Sequence, residues 1–288
     1  MPLFFLMSAM TYRFSIKRKD FIKKTYKSFK HLVIPAFVIY GIRQGLFIVK
    51  HHNELQLGIY ARSCALSLFY CSGVDIINNC QVPAFGMMWF LIVLFIGRTI
   101  FDLINMYCSK KIMALVSIMI SIIGIIISSK SWLPLSLDIA MAIFPFFWIG
   151  LWLKARNEKY IKGKLTYIFF IIWIGLFFII YVVTNDYLEL AARRYPLFPL
   201  CYICALMGIL FVSCLAKLLL SFEKIRVIEE VGKNSIWIFA IHAMDYLYRP
   251  IWDITNSMLL NGFLRIIEDI LIYIAIRYML ERKNCKNY

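Results

Sequence analysis

Three long stretches of the sequence contain no charged residue, and they constrain the fold more than any other feature. They are IMALVSIMISIIGIIISS (112–129), LTYIFFIIWIGLFFIIYVVT (165–184) and LFPLCYICALMGILFVSCLA (197–216). A helix needs about 20 predominantly apolar residues to cross the hydrocarbon core of a bilayer. Because 62% of the residues are hydrophobic and 17% are charged, the chain also lies outside the usual composition of soluble domains. The sequence therefore predicts a polytopic membrane protein.

Five further stretches reach or approach the length and composition of a membrane span. The predicted fold is all-α, a polytopic transmembrane helix bundle with eight full spans and an N-terminal partial span, and we expect residues 1–288 to form a single domain. The predicted spans are 32–49, 85–107, 112–129, 133–153, 165–184, 197–220, 234–251 and 257–279.

The chain carries 32 Lys and Arg against 16 Asp and Glu. In a soluble protein this excess would suggest binding to nucleic acid. In a membrane protein it first indicates which side of the bilayer each connection occupies, so no nucleic-acid partner is expected. Alternate connections between the spans carry 22 basic residues on one side and five on the other. The positive-inside rule predicts that the basic side, which includes the C-terminus, is cytoplasmic.

The N-terminal stretch MPLFFLMSAMTYRF is apolar and is followed by basic residues. A signal peptide has its basic residues before the apolar core, so this stretch is not predicted to be one. Two interpretations remain from the residues alone. It is either a short interfacial or half-inserted helix, or the end of a span whose helical partner is absent from the sequence.

Several motifs, in order along nearly the whole chain, resemble the integral-membrane acyltransferase family 3, in the branch often named for fucose 4-O-acetylase. These are bacterial O-acetyltransferases that acylate sugars of the cell envelope. The motifs are MPLFFLMSAM, FIKKTYKSFKHLVIPAF, MMWFLIVLFIGRTIF, LPLSLDIAMAIFPFFWIGLWLK and VGKNSIWIFAIH.

The resemblance implies a multi-pass protein of the bacterial inner membrane with about ten spans. It implies transfer of an acetyl or other short acyl group from acyl-CoA, used as a donor substrate with no bound cofactor, to a hydroxyl of an envelope or exopolysaccharide sugar. The expected partners are membrane lipids, acyl-CoA and a glycan acceptor.

Two departures from the family pattern stand out. The family's first span, with the His proposed as base or acyl carrier, would precede Met1, so the chain resembles a member that lacks this span. The paired Arg residues at the start of the family's third span are Lys27 and Lys30 here, followed by His31. The resemblance implies acyl-CoA binding there, although Lys lacks the bidentate fork of Arg.

Ionisable residues within predicted spans are the first candidates for function, because burying them in a membrane is unfavourable. His242, Asp245 and Arg249 lie at i, i+3 and i+7 on one predicted helical face. His242 is a candidate general base supported by Asp245, and the alternative is a polar cluster that only fixes helix packing. Asn234 and Ser235 belong to the motif that ends at His242.

Other candidates lie elsewhere in the spans. Arg98 is a candidate catalytic residue or ligand of an acyl-CoA phosphate, although at i and i+4 it could simply pair with Asp102. Trp89 is predicted near the outer interface, where an aromatic belt is the commoner role. Asp138 is predicted to face a lumenal cavity. The cluster Arg265, Glu268 and Asp269 is interpreted as mainly structural.

The basic run RFSIKRKDFIKKTYKSFKH suits two ligands equally well, the phosphates of acyl-CoA and anionic lipid headgroups. No metal site is predicted, and a disulfide among Cys64, Cys71 and Cys80 stays open. The rival function is export of a polysaccharide or lipid-linked sugar, but the matched halves common in transporters are not found. An inactive truncated family member is a third alternative.

Overall fold

The computed structural model of the chain describes residues 1–53, 56–77, 80–81, 83–155, 164–220, 232, 238–239, 241–242 and 254–285. These residues belong to two compact units. The first unit comprises Met1–Phe37 and Gln56–Phe222, and the second comprises Val38–Leu55 and Glu223–Tyr288. Whether 1–288 is a single domain, as the sequence predicts, therefore stays a prediction, and each unit is described by itself.

Helices dominate the described residues, which confirms the all-α prediction. A π-helical segment, Phe29–Val33, joins the second helix to the third, and two short 3-10 turns, Gly86–Met88 and Pro134–Ser136, precede α5 and α7. One small antiparallel ladder pairs Ile76–Ile77 with Cys80–Gln81. The helices are α1 (Pro2–Thr11), α2 (Arg18–Ser28), α3 (Ile34–Lys50), α4 (Leu57–Tyr70), α5 (Trp89–Tyr107), α6 (Lys110–Ser128), α7 (Leu137–Ala142), α8 (Phe144–Ala155), α9 (Lys164–Thr184), α10 (Leu200–Leu220) and α11 (Met258–Cys285).

Four helices in the described part of the chain are long and apolar enough to cross a membrane: Arg18–Lys50, Gly86–Tyr107, Thr166–Thr184 and Leu200–Leu218. The bent pair Pro134–Ala142 and Phe144–Ala155 makes five if it counts as one span. The predicted span 234–251 lies almost wholly outside the described residues, so the count of eight stays a prediction. The first of these helices begins at Arg18, well before the predicted start at residue 32.

The core of the first unit is aromatic. Phe5 of α1 lies 5.0 Å from Phe90 of α5 and 6.1 Å from Phe147 of α8, measured between ring centroids. Phe101 lies 5.6 Å from Phe147 and 5.7 Å from Phe144. The opening stretch of the sequence therefore forms a helix whose inner side packs between α5 and α8. Dispersion between these rings, rather than polar contacts, holds the three helices together.

The predicted span 133–153 is a broken helix, in which α7 and α8 meet at an angle of 50°. Pro145 lacks an N–H, and the Phe146 N–H donates to the Ile143 carbonyl at 3.0 Å. The Ala142 carbonyl instead accepts from Ser121 Oγ at 2.8 Å and from the Tyr202 hydroxyl at 3.0 Å. Side chains from α6 and α10 thereby satisfy the backbone at the break, as a low-dielectric surrounding requires.

Gly124 lets α6 approach α7 closely. A Cβ atom at this position would lie 2.7 Å from both the Asp138 carbonyl oxygen and the Met141 Cβ. Real Cβ atoms are essentially never this close to their neighbours, so any side chain here would push the two helices apart.

We predict that Gly124→Ala destabilises the protein by about 1–3 kcal/mol, because the overpacked methyl group must displace backbone atoms of α7. The measurement is the midpoint of thermal unfolding of purified protein in detergent micelles. Gly175→Ala in α9 is the matched control, since a Cβ there meets nothing within 4 Å. Equal midpoints for the two variants would contradict the close approach.

Candidate functional sites

His242 forms a polar pair within the second unit. Its Nδ1 lies 2.8 Å from Oδ2 of Asp269, which α11 supplies, and the two side chains are 27% and 8% exposed. A largely buried carboxylate bonded to a partly exposed imidazole orients the ring and stabilises its protonated form. The bond to Asp269 thus fixes the orientation of the His242 ring within the second unit.

The predicted support for His242 came from its own helix, whereas the described carboxylate comes from another helix. Asp245, Arg249, Asn234 and Ser235 lie outside the described residues, so their predicted roles stay predictions. From the sequence, Asp269 was grouped with Arg265 and Glu268 in a structural cluster. Helical spacing identifies neighbours on the same helix but not a partner on another helix. An acidic residue well inside an apolar segment was the signal that could have marked it.

Arg98 and Asp102 do not form the direct pair that their spacing suggested. Within the described residues, Arg98 Nη2 donates to Ser28 Oγ at 2.8 Å, and its guanidinium carbon lies 4.7 Å from the centre of the Tyr12 ring. The Asp102 carboxylate accepts from the Ser15 backbone N–H at 2.7 Å, Ser15 Oγ at 2.8 Å and the Tyr12 hydroxyl at 3.0 Å. The carboxylate is fully buried and takes donors that converge on it from one loop.

The loop between α1 and α2 is fixed by several further contacts. Lys24 Nζ donates to the Arg13 carbonyl at 2.8 Å, and Lys154 Nζ donates to the Tyr12 carbonyl at 2.6 Å. Burial and the adjacent negative charge of Asp102 raise the pKa of Tyr12 to about 12. The Tyr12 hydroxyl therefore stays protonated and donates a hydrogen bond to Asp102. This cluster of Tyr12, Arg98 and Asp102 is named the loop anchor below.

Lys27, Lys30 and His31 lie where α2 passes into the π-helical segment, and all three are exposed. The Lys30 ammonium lies 4.7 Å from the centre of the Tyr26 ring. π-helical turns are rare and occur often at functional sites. The segment lies beside α5, with the Phe29 ring 5.9 Å from that of Phe95, so the basic residues lie near Arg98 on the same part of the first unit.

Trp89 begins α5 and is only 3% exposed, so its ring packs inside the first unit instead of forming part of a lipid-facing belt. The indole lies against the backbone of Gly73, where a Cβ would meet the indole Nε1 at 2.6 Å and Ala191 Cβ at 3.0 Å. Trp89 thus joins two connections that are distant in sequence. Its role is in packing at the end of the unit that also holds Asp138.

Asp138 does not line an open cavity. It is fully buried, and its Oδ2 accepts from Arg193 Nε at 2.6 Å. Arg193 Nη2 also donates to Ser136 Oγ at 3.3 Å, and its guanidinium carbon lies 3.8 Å from the centre of the Trp132 ring. Arg193 and Ser136 adopt left-handed φ angles of 60° and 52°, which are unfavourable for these residues, so the contacts hold a strained backbone in place.

Arg193 was not predicted from the sequence as a site residue. It lies next to Arg194 in the connection between α9 and α10, and nothing in the sequence separates the two. In the structure Arg193 is buried, whereas the side chain of Arg194 is half exposed and lies 3.3 Å from Asp186.

No metal-binding group of three His, Cys, Asp or Glu residues occurs among the residues that the structure describes. His51 and His52 point their Nδ1 atoms at the backbone carbonyls of Phe47 and Val49. Cys64 and Cys71 are free thiols. Burial raises the pKa of the Cys71 thiol to about 12, which makes it a poor nucleophile.

The described residues thus include a hydrogen-bonded histidine–carboxylate pair in the second unit, apolar helices long enough to span a membrane, and a basic region beside Arg98 in the first unit. The family model described as an acyltransferase domain, of acyltransferase family 3, matches residues 1–276. The chain belongs to acyltransferase family 3. This match over nearly the whole chain confirms the resemblance seen in the motifs and shows a membrane acyltransferase family.

Other comparisons add no closer relative for this acyltransferase family 3 member. No curated protein and no solved structure matches the chain. The roles of individual residues therefore depend on the geometry described above.

For the buried pair of Arg193 and Asp138, we predict that Arg193→Met destabilises the fold by about 3–5 kcal/mol, because it leaves the Asp138 carboxylate buried without its counter-charge. Asp138→Leu combined with Arg193→Met should recover most of the loss. Unfolding midpoints in detergent micelles measure both effects. The neighbouring control, Arg194→Gln, removes an exposed charge and should leave the midpoint unchanged; a loss equal to that of Arg193→Met would refute the buried pair.

At the loop anchor, we predict that Asp102→Asn lowers the free energy of unfolding by roughly 2–3 kcal/mol. The carboxylate accepts hydrogen bonds at both oxygens, whereas the NH2 group of an asparagine would face one or more of those donors and could not accept from them. Asp20→Asn in α2, at an exposed position, is the matched control. Limited proteolysis between α1 and α2 should become faster in Asp102→Asn only. Unchanged cleavage would show that the carboxylate does not hold this loop.

Proposed function

We propose that this protein is an O-acyltransferase of the bacterial inner membrane, with its C-terminus in the cytoplasm. It transfers an acetyl or other short acyl group from cytoplasmic acyl-CoA to a hydroxyl of a cell-envelope or exopolysaccharide sugar. The membership of acyltransferase family 3 supports the class of reaction. The positive-inside distribution of Lys and Arg supports the orientation.

The observation that carries the proposal is the bond between His242 and Asp269. The Nδ1–H group donates a hydrogen bond to Asp269, which leaves Nε2 as the basic nitrogen. Nε2 accepts the proton of the sugar hydroxyl while the hydroxyl oxygen attacks the thioester carbonyl. The new C–O bond forms, the C–S bond breaks, and the proton passes from the imidazolium to the sulfur of the departing CoA. Asp269 stabilises the charged ring between these two transfers, and such general-base assistance contributes about 10²–10⁴-fold in rate.

The donor would bind at the basic region of the first unit. The Asp102 carboxylate is occupied by Tyr12 and Ser15, so it does not neutralise Arg98 through a direct ion pair. Ser28 and the Tyr12 ring hold the guanidinium in a fixed orientation, which suits bidentate binding of a phosphate. Lys27, Lys30 and His31 would supply further donors there, as the family resemblance implies.

We expect His242→Ala to lower the rate of acyl transfer by about 10²–10⁴-fold and Asp269→Asn to lower it less, because the amide still orients the ring but carries no charge. The assay follows label from radioactive acetyl-CoA into envelope glycan, using membranes from a strain that lacks the endogenous gene. His52→Ala, at an exposed histidine bonded only to the backbone of its own helix turn, is the matched control.

Three outcomes would contradict this function. Full activity of His242→Ala would remove the histidine from the mechanism. A deletion strain with normal glycan acetylation and altered glycan export would favour the exporter instead. Unchanged acetylation with unchanged export would favour an inactive family member.

A further inference from the structure

Helix α2 has one face that is turned outward and carries an unusual combination of residues. Ile22 and Tyr26 of α2 and Phe29, the first residue of the π-helical segment, form an i, i+4, i+7 stripe, and they are 58%, 61% and 41% exposed. The Phe29 ring also contacts Phe95 of α5, so Phe29 marks the edge of the stripe. Residues with this spacing share one face of a helix. An apolar stripe of this kind on a helix rich in lysine is typical of helices that lie against a membrane surface.

Lysines flank this stripe and are themselves exposed. Lys19, Lys23 and Lys30 follow the apolar residues around the helix on one side, and Asp20, the only acidic residue of α2, lies farther from the stripe. We call Lys19, Ile22, Lys23, Tyr26 and Phe29 the outward face.

The opposite face of α2 is already occupied. Lys24 donates to the carbonyls of Arg13 and Phe14, and Ser28 accepts from Arg98. These residues are partly buried against the loop anchor. The polar contacts of α2 with the rest of the first unit therefore leave Ile22, Tyr26 and the neighbouring lysines uncovered, and Lys19 and Lys23 are separate from the Arg98 region.

The position of the outward face along the membrane normal follows from the length of the helix. The helix that contains α2 and α3 runs for 33 residues from Arg18 to Lys50. About 20 residues cross the hydrocarbon core, so the part of this helix inside the core extends from Lys50 to about Lys30. Tyr26 and Ile22 then lie roughly 6 and 12 Å beyond the core boundary at 1.5 Å per residue. This is the depth of the headgroups and their outer edge, within reach of lysine side chains.

We propose that the outward face of α2 binds the headgroups of anionic phospholipids in the leaflet at the basic side of the bundle. Ile22, Tyr26 and Phe29 contact the upper acyl chains and glycerol region, and Lys19 and Lys23 bind the phosphates. The charge of the face and its continuity with the apolar span favour a lipid over a soluble anion. The same helix thus binds the membrane with one face and supports the Arg98 region with the other.

The test measures binding of phosphatidylglycerol and of phosphatidylcholine to the full chain in detergent micelles by native mass spectrometry. We expect the wild type to prefer phosphatidylglycerol, and Lys19→Gln combined with Lys23→Gln to reduce that preference by roughly 30-fold, at about fivefold for each lysine. Ile22→Ser combined with Tyr26→Ser should weaken the binding of both lipids. Lys50→Gln, at the exposed far end of the same helix, should change neither.

Three results would overturn the proposal. The first is unchanged phosphatidylglycerol binding in the double lysine variant. The second is an equal loss in Lys50→Gln, which would indicate general charge attraction. The third is weaker binding of acetyl-CoA with unchanged lipid binding in the double lysine variant, which would assign the face to the donor nucleotide. Unfolding midpoints equal to the wild type would show that all variants fold.

Discussion

Three aspartates are buried in the described bundle, and each is satisfied by residues far away in the sequence. Asp102 accepts from residues 87 and 90 positions earlier, Asp138 pairs with an arginine 55 positions later, and Asp269 pairs with a histidine 27 positions earlier. An unpaired carboxylate in such surroundings would be strongly unfavourable. Each carboxylate therefore fixes the position of a segment that the apolar contacts alone would leave free to slide.

These three carboxylates hold different parts of the described structure. Asp102 fixes the loop that leads into α2, Asp138 fixes the connection between α9 and α10 through Arg193, and Asp269 orients His242. The first two are closed to solvent and already fully bonded, so they serve the shape of the protein. The third leaves a histidine partly exposed, which is why we assign proton transfer to it.

The sequence predicted the all-α class correctly because long apolar stretches report directly on burial in lipid. It did not predict which residues form polar contacts across helices. Spacing on one helix suggested that Arg98 pairs with Asp102, but in the structure Arg98 donates to Ser28. The predicted support of His242 by Asp245 stays a prediction, and the described carboxylate beside His242 is that of Asp269. A periodic pattern identifies which residues share a face, whereas the neighbour across that face depends on packing between helices. Arg193 and Arg194 illustrate the same limit, because adjacent identical residues have opposite environments.

The break between α7 and α8 divides one predicted span between two sets of neighbours. Gly124 brings α7 against α6, and Gly150 brings α8 against the Leu6 carbonyl and Ala9 of α1. At the break itself, Ser121 of α6 and Tyr202 of α10 both donate to the Ala142 carbonyl. The chain can therefore change direction within this span while the carbonyl that the break frees stays hydrogen-bonded.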